Sequence, residues 1–223
     1  MVSQTWDDHD RSGRYTTRDF GFNYLSSLDE NAIIFTNGDN DTFPLWYAQE
    51  VEDFRTDVRV VNLSYLTTDW YADQMRHPTS GADGIPMYAT PLDYGYERLA
   101  YNFVYPVDDS VMTARESLRE LYDSDPKIFG APLMKHPRMS IDVDPKVAAK
   151  RYSTGSAELD SAYILPNIGD IAIDLSASSG LNQSRVLSLD MIANSVASDW
   201  KRPAYFATTV PSSYYLSLIH ISE

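Results

Sequence analysis

Two carboxylates two residues apart, Asp39 and Asp41 on either side of Asn40, are the residues whose spacing most directly suggests chemistry. In a loop, both could reach one hard divalent cation, Mg²⁺ or Mn²⁺, and that cation could hold a diphosphate. This is the device of nucleotide-sugar-dependent transferases, and Asp39 and Asp41 are the candidate metal ligands. Asn40, Thr42, Trp46, Tyr47 and Trp70 complete a candidate ligand-binding set. The alternative reading is structural: Asp39 shapes a turn, and Asp41 caps a helix, where the helix dipole favours a carboxylate. The stretch has neither the Gly-x-Gly-x-x-Gly nor the Gly-x4-Gly-Lys-Ser/Thr pattern of a nucleotide cradle, and two carboxylates would repel a bare phosphate.

The elements that must position these residues can be read from the surrounding sequence. Ala32 to Phe35 is a short apolar run, as expected of a strand covered on both faces. Asn37-Gly38 ends it and allows a turn with positive φ. Asp41 or Thr42 then caps a helix reaching about Glu52, with Pro44 in the first turn, where a missing N–H costs little. Val58 to Leu63 reads as a second strand. Strand, helix and strand form a crossover unit, for which parallel strands are the rule. In open α/β sheets, ligands lie beyond the carboxyl ends of the strands, which is where the acidic stretch falls. A short helix at 68–75 begins just past the second strand, so Trp70 is expected to share that crevice.

The rest of the chain supports an α/β domain spanning 16–216, with 1–15 as an entry segment. Thr16 and Asp19 fit a capping box for a first helix. Residues 77–106 are punctuated by Gly, Pro and Tyr and read as a long irregular insertion with one strand near Leu99 to Val104. Asp109 or Ser110 caps a helix from Val111 to Tyr122. Strands are expected at Met139–Val143, Ile171–Leu175 and Ala204–Thr208, and helices from Asp144 to Arg151 and from Val186 to Ala197. The expected fold is a mostly parallel sheet with flanking helices, a Rossmann-like three-layer arrangement.

Composition narrows the function classes. The net charge of -14 disfavours nucleic acid as a partner, and unassisted binding to anionic membranes as well. Without cysteine there is no disulfide and no thiolate chemistry. No run approaches the ~18 apolar residues of a membrane helix. The four histidines are scattered without His-x3-His spacing, and no Gly-x-Ser-x-Gly elbow is present. Asp7, Asp8, His9 and Asp10 could contribute to a metal site, but with Arg11 and Arg14 nearby they read better as a solvated, ion-paired run. Lys201 and Arg202 could grip an anion or pair with neighbouring carboxylates.

Four stretches carry a family resemblance: 7–15, 37–47 (Asn-Gly-Asp-Asn-Asp-Thr-Phe-Pro-Leu-Trp-Tyr), 57–63 (Asp-Val-Arg-Val-Val-Asn-Leu) and Trp200-Lys201-Arg202-Pro203. Over about Trp6 to Tyr215 the chain resembles a domain of unknown function in a family of large bacterial membrane proteins. In that family a soluble region follows a transmembrane part similar to protein O-mannosyltransferases and other lipid-phosphosugar-dependent (GT-C type) glycosyltransferases. The resemblance implies a parent with many membrane helices, a catalytic acid in the membrane part, and a domain facing away from the cytoplasm. No catalytic residue carries over to these positions. The implied role is an accessory one, holding acceptor protein or glycan near the membrane active site, with the parent's transmembrane domain as partner. The alternative is a metal-dependent enzyme acting on a sugar nucleotide or phosphate ester through Asp39 and Asp41. A start at Met1 with no membrane helix suggests a fragment or an internal start, and 217–223 resembles translated adapter sequence and reads as a non-native tail.

Overall fold

The computed structural model describes residues 13–79, 81–124, 130–199 and 201–215. The acidic entry at Asp7 to Asp10, Trp200 and the tail at 217–223 lie outside them.

The fold is built on three parallel strands, β1 (Ile33–Thr36), β2 (Arg59–Asn62) and a late strand, β9 (Ala204–Phe206). β1 lies in the middle, with Ile33 opposite both Arg59 and Ala204. Every residue of β1 and β2 is buried, which accounts for the apolar Ile33–Phe35 and Val60–Val61, while Thr36, Arg59 and Asn62 are buried polar residues. Helix α1 (Thr16–Ser26) precedes β1, and α2 (Asp39–Glu50) connects β1 to β2. The two helices meet at Gly21, where a β-carbon would stand 2.3 Å from the Pro44 carbonyl oxygen. Helix α3 (Asp69–Arg76) follows β2.

The α/β class is as expected, but the strands are divided among three sheets of three. In the second sheet β3 (Tyr101–Val104) pairs in parallel with β5 (Leu133–Met134) and antiparallel with β8 (Gly180–Asn182). In the third, β6 (Arg138–Ile141) pairs in parallel with β4 (Met112–Thr113) and antiparallel with β7 (Ile171–Asp174). Strands of two to four residues cannot extend one sheet across the domain. Helix α4 (Ala114–Asp123) runs between these sheets, α5 (Pro145–Tyr152) follows the third, and α6 (Gln183–Ala197) is buried on almost every side. One continuous apolar core joins all three sheets.

Several expected boundaries shift. Thr16 is the first residue of α1 and makes no cap; Tyr15 precedes the helix without a side-chain cap. Gly38 is extended, at φ −155°, so the turn after β1 uses no left-handed residue. Helix α2 starts at Asp39, which places Pro44 inside it and not in the first turn. The lost N–H leaves the carbonyl of exposed Asn40 to water. Helix α4 is capped by Thr113, not by Asp109 or Ser110: the Thr113 hydroxyl accepts from Glu116 N, and Glu116 accepts in return. The 77–106 excursion contains a helical turn at Pro91–Tyr94 and is pinned by Asp190 of α6. That carboxylate accepts from the N–H groups of Tyr88 and Ala89, from the Tyr122 hydroxyl and from the Asn194 amide, each at 2.8 Å.

Candidate functional site

The acidic stretch forms the first turn of α2, and the structural reading of Asp41 prevails. Its carboxylate is 2 % exposed and accepts from Asn37 N and Gly38 N at 3.0 Å, and from the Thr209 hydroxyl. Asp39 and Asn40 are exposed. Residues two apart on a helix project about 200° apart around its axis, so Asp39 and Asp41 do not converge as they would in a loop. Among the described residues, no three His, Asp or Glu side chains form a group that could hold a metal ion. Thr42 is also structural. Its hydroxyl meets that of Thr36 at 2.7 Å, donates to Gly38 O and accepts from the Asn62 amide at 3.0 Å.

This buried polar cluster positions the neighbouring loop. The Asn62 side-chain oxygen Oδ1 accepts from Ser64 N and Tyr65 N, and the Ser64 hydroxyl donates to Asn37 O. The turn after β2 is thereby fixed, with Tyr65 turned toward α2 and α3. Tyr71 of α3 completes the frame: its hydroxyl accepts from Asn62 N at 3.0 Å and donates to Val60 O at 3.3 Å. Burial pushes its phenol up to about 12, so it stays a donor at any physiological pH.

The frame encloses a cleft of about 340 Å³ between α2, the outer side of β2 and α3. Aromatic rings form much of its wall. Trp46 and Tyr65 have centroids 6.1 Å apart with planes inclined by 24°; Tyr65 and Trp70 are 6.4 Å apart. Phe43 continues the row from Trp46 at 5.7 Å. Trp70 is 62 % exposed, a large apolar face left open beside a cleft. Gln49, Gln74, Thr56 and Thr79 supply polar groups, and Glu50 the carboxylate.

Arg59 also lines the cleft. It is 3 % exposed and makes no ion pair with a carboxylate among the described residues. Its Nη2 donates to the carbonyls of Gln74 and Met75 at 3.2 and 3.4 Å, and its Nη1 has no hydrogen-bond partner among the described residues. Burial above all, and then the nearby Arg202, push its pKa below the ordinary value.

Of the expected ligand-binding residues, the structure brings Trp46 and Trp70 to this cleft. It sends Asp41 and Thr42 into the frame, leaves Asp39 and Asn40 on the surface, and turns Tyr47 toward Glu52, whose carboxylate accepts from its hydroxyl at 3.3 Å. The cleft lies beside the sheet, not beyond the strand ends. Sequence reasoning missed Tyr65, Tyr71 and Arg59. Arg59 had a signal: a lone charge within the apolar run Val58 to Leu63.

A family model described as TMEM260-associated domain 2 matches residues 17–221. No curated protein and no solved structure matches the chain. The chain belongs to the TMEM260-associated domain 2 family.

Proposed function

From this family membership, we propose that the chain is the accessory domain of a bacterial, multi-pass TMEM260-like membrane protein of the O-mannosyltransferase-like, GT-C type. The domain lies on the extracytoplasmic side, packs against its parent's transmembrane domain, and recognises glycan or glycosylated acceptor without catalysing transfer itself. The observation that carries this reading is the aromatic cleft. Sugar rings present C–H faces that stack on Trp and Tyr, while their hydroxyls need a few polar partners, here Gln49, Gln74, Thr56 and Thr79. No helix among the described residues is long and apolar enough to cross a membrane, consistent with a part that works beside the membrane helices. The β1–α2–β2 crossover presents two of the cleft's three walls.

The test is a glycan-binding screen of the wild-type chain beside Trp70→Ala, with a transferase assay alongside. We expect binding to a limited set of glycans, lost in the variant, and no transfer. Glycan binding indifferent to Trp70 would move the site elsewhere, and transferase activity in the isolated chain would overturn the accessory role.

A further inference from the structure

The cleft contains a cation that no carboxylate among the described residues pairs with. A buried guanidinium is ordinarily paired with a carboxylate or has its donors satisfied, because desolvating it costs several kcal/mol. Arg202, the other buried arginine of this region, follows the rule: it donates to the carbonyls of Asn31, Asp83 and Asp57. Arg59 does not. Nη1 has no acceptor among the described residues, and the two Nη2 contacts to Gln74 O and Met75 O are long. The C-terminal end of α3 offers a favourable dipole to the charge, which accounts for its location but leaves the Nη1 donor unsatisfied. Contacts of 3.2 and 3.4 Å are weak enough for the guanidinium to shift toward a better acceptor entering the cleft. Among the described residues, the only carboxylate lining the cleft is Glu50, which is exposed and therefore screened by solvent.

We propose that the cleft takes an anionic saccharide, a sugar bearing a carboxylate or a phosphate, with the sugar ring against Trp46, Tyr65 and Trp70 and the anionic group on Arg59. Guanidinium suits both anions because its planar fork matches two oxygens at once. The proposal rests on the glycan reading above and adds the charge of the ligand to it.

The experiment titrates the full chain with glucose, glucuronate and glucose 6-phosphate, following tryptophan fluorescence and heat of binding, and repeats the series with Arg59→Gln. The expected result is that one or both anionic sugars bind at least 10-fold tighter than glucose, and that in the variant this ratio falls toward one. Whichever anion is preferred identifies the carboxylate or the phosphate class. If the variant fails to fold, inorganic phosphate is titrated into the wild-type protein with the preferred sugar bound, and it must displace that sugar. Equal affinity for all three sugars, or no displacement by phosphate, overturns the proposal while leaving glycan recognition in place. If none of the three sugars binds, the proposal also falls; the glycan screen then decides separately whether glycan recognition stands.

Discussion

The Tyr71 hydroxyl bridges consecutive outward-facing backbone groups of β2, accepting from Asn62 N and donating to Val60 O. β2 is an edge strand, and an edge with open N–H and C=O groups invites pairing with another chain. Here one phenol from α3 covers that edge and at the same time holds a wall of the cleft. Tyr71→Phe keeps the ring but strands both backbone groups, and should cost about 1–3 kcal/mol. Urea unfolding of the two proteins measures this. A variant as stable as the parent would show that water replaces the hydroxyl without loss.

Arg55 and Asp57 make a two-point ion pair, Nε to Oδ1 at 2.8 Å and Nη2 to Oδ2 at 3.0 Å, and Arg55 also donates to the carbonyls of Leu25, Leu28 and Asp29. The Arg55 hydrogen bond is the main reason the Asp57 carboxyl titrates below the usual carboxylate range. A depressed folded value means that the pair stabilises the fold above the unfolded pKa of ~3.9, and that this contribution is lost as pH falls through the folded value. Asp57→Asn should therefore lower stability by about 1–2 kcal/mol at neutral pH. The gap to wild type should narrow below about pH 4, as followed by denaturant midpoints from pH 7 to pH 2.5. A gap independent of pH would mean that the pair contributes only as neutral hydrogen bonds.

Gly21→Ala reverses a general expectation. In a helix interior the change ordinarily stabilises by up to about 1 kcal/mol. At this position the new methyl would fall 2.3 Å from backbone, the Pro44 carbonyl oxygen, which has no flexible end to move aside. The contact between α1 and α2 should open, at a cost of about 1–3 kcal/mol in thermal or urea unfolding. A neutral or stabilised variant would show that α1 shifts freely.

Asp190 is fully buried, and four donors converge on it. Burial, the largest cause, raises its pKa, yet all four partners require an acceptor. Asp190→Asn brings an N–H into that cluster and should cost about 2–4 kcal/mol. It should also detach the Tyr88–Ala89 segment, so limited proteolysis of the excursion should accelerate more than the loss of global stability explains. Unchanged cleavage would mean that the excursion is held by other contacts.

The parts of the fold that sequence reveals are those with local signals. The crossover from Ile33 to Asn62 follows from two apolar runs and a helix between them, whereas the caps Thr113 and Asn182 are passed over, the first in favour of Asp109 or Ser110. What stayed hidden was non-local. β5 and β8, two and three residues long, exist only because β3 lies between them, and no periodicity marks so short a strand. Likewise, α6 carries Asp190 and Gln183 on buried faces because their partners come from distant segments, so it lacks a clean polar side. At the site, Asp-x-Asp was conspicuous for its spacing, but the spacing acquired another meaning once the residues fell in a helix and not a loop. Trp46 and Trp70 were legible as large apolar residues near the strand ends. Arg59 needed the structure, because only the coordinates distinguish a buried donor with an acceptor from one without.

β9 has a further consequence, for the order of events during synthesis. The central strand β1 has its second neighbour about 170 residues later in the chain, where Pro203 O receives the N–H of Ile33. As the polypeptide leaves the ribosome, β1 and β2 can pair early, but one flank of β1 stays open until residues 203–206 emerge. Such a distant closing contact slows folding and leaves a hydrophobic strand edge unpaired in the interval. The domain therefore becomes complete only once residues 203–206 have emerged, and chains interrupted before position 203 should be captured by chaperones or aggregate through the flank that β9 would have filled.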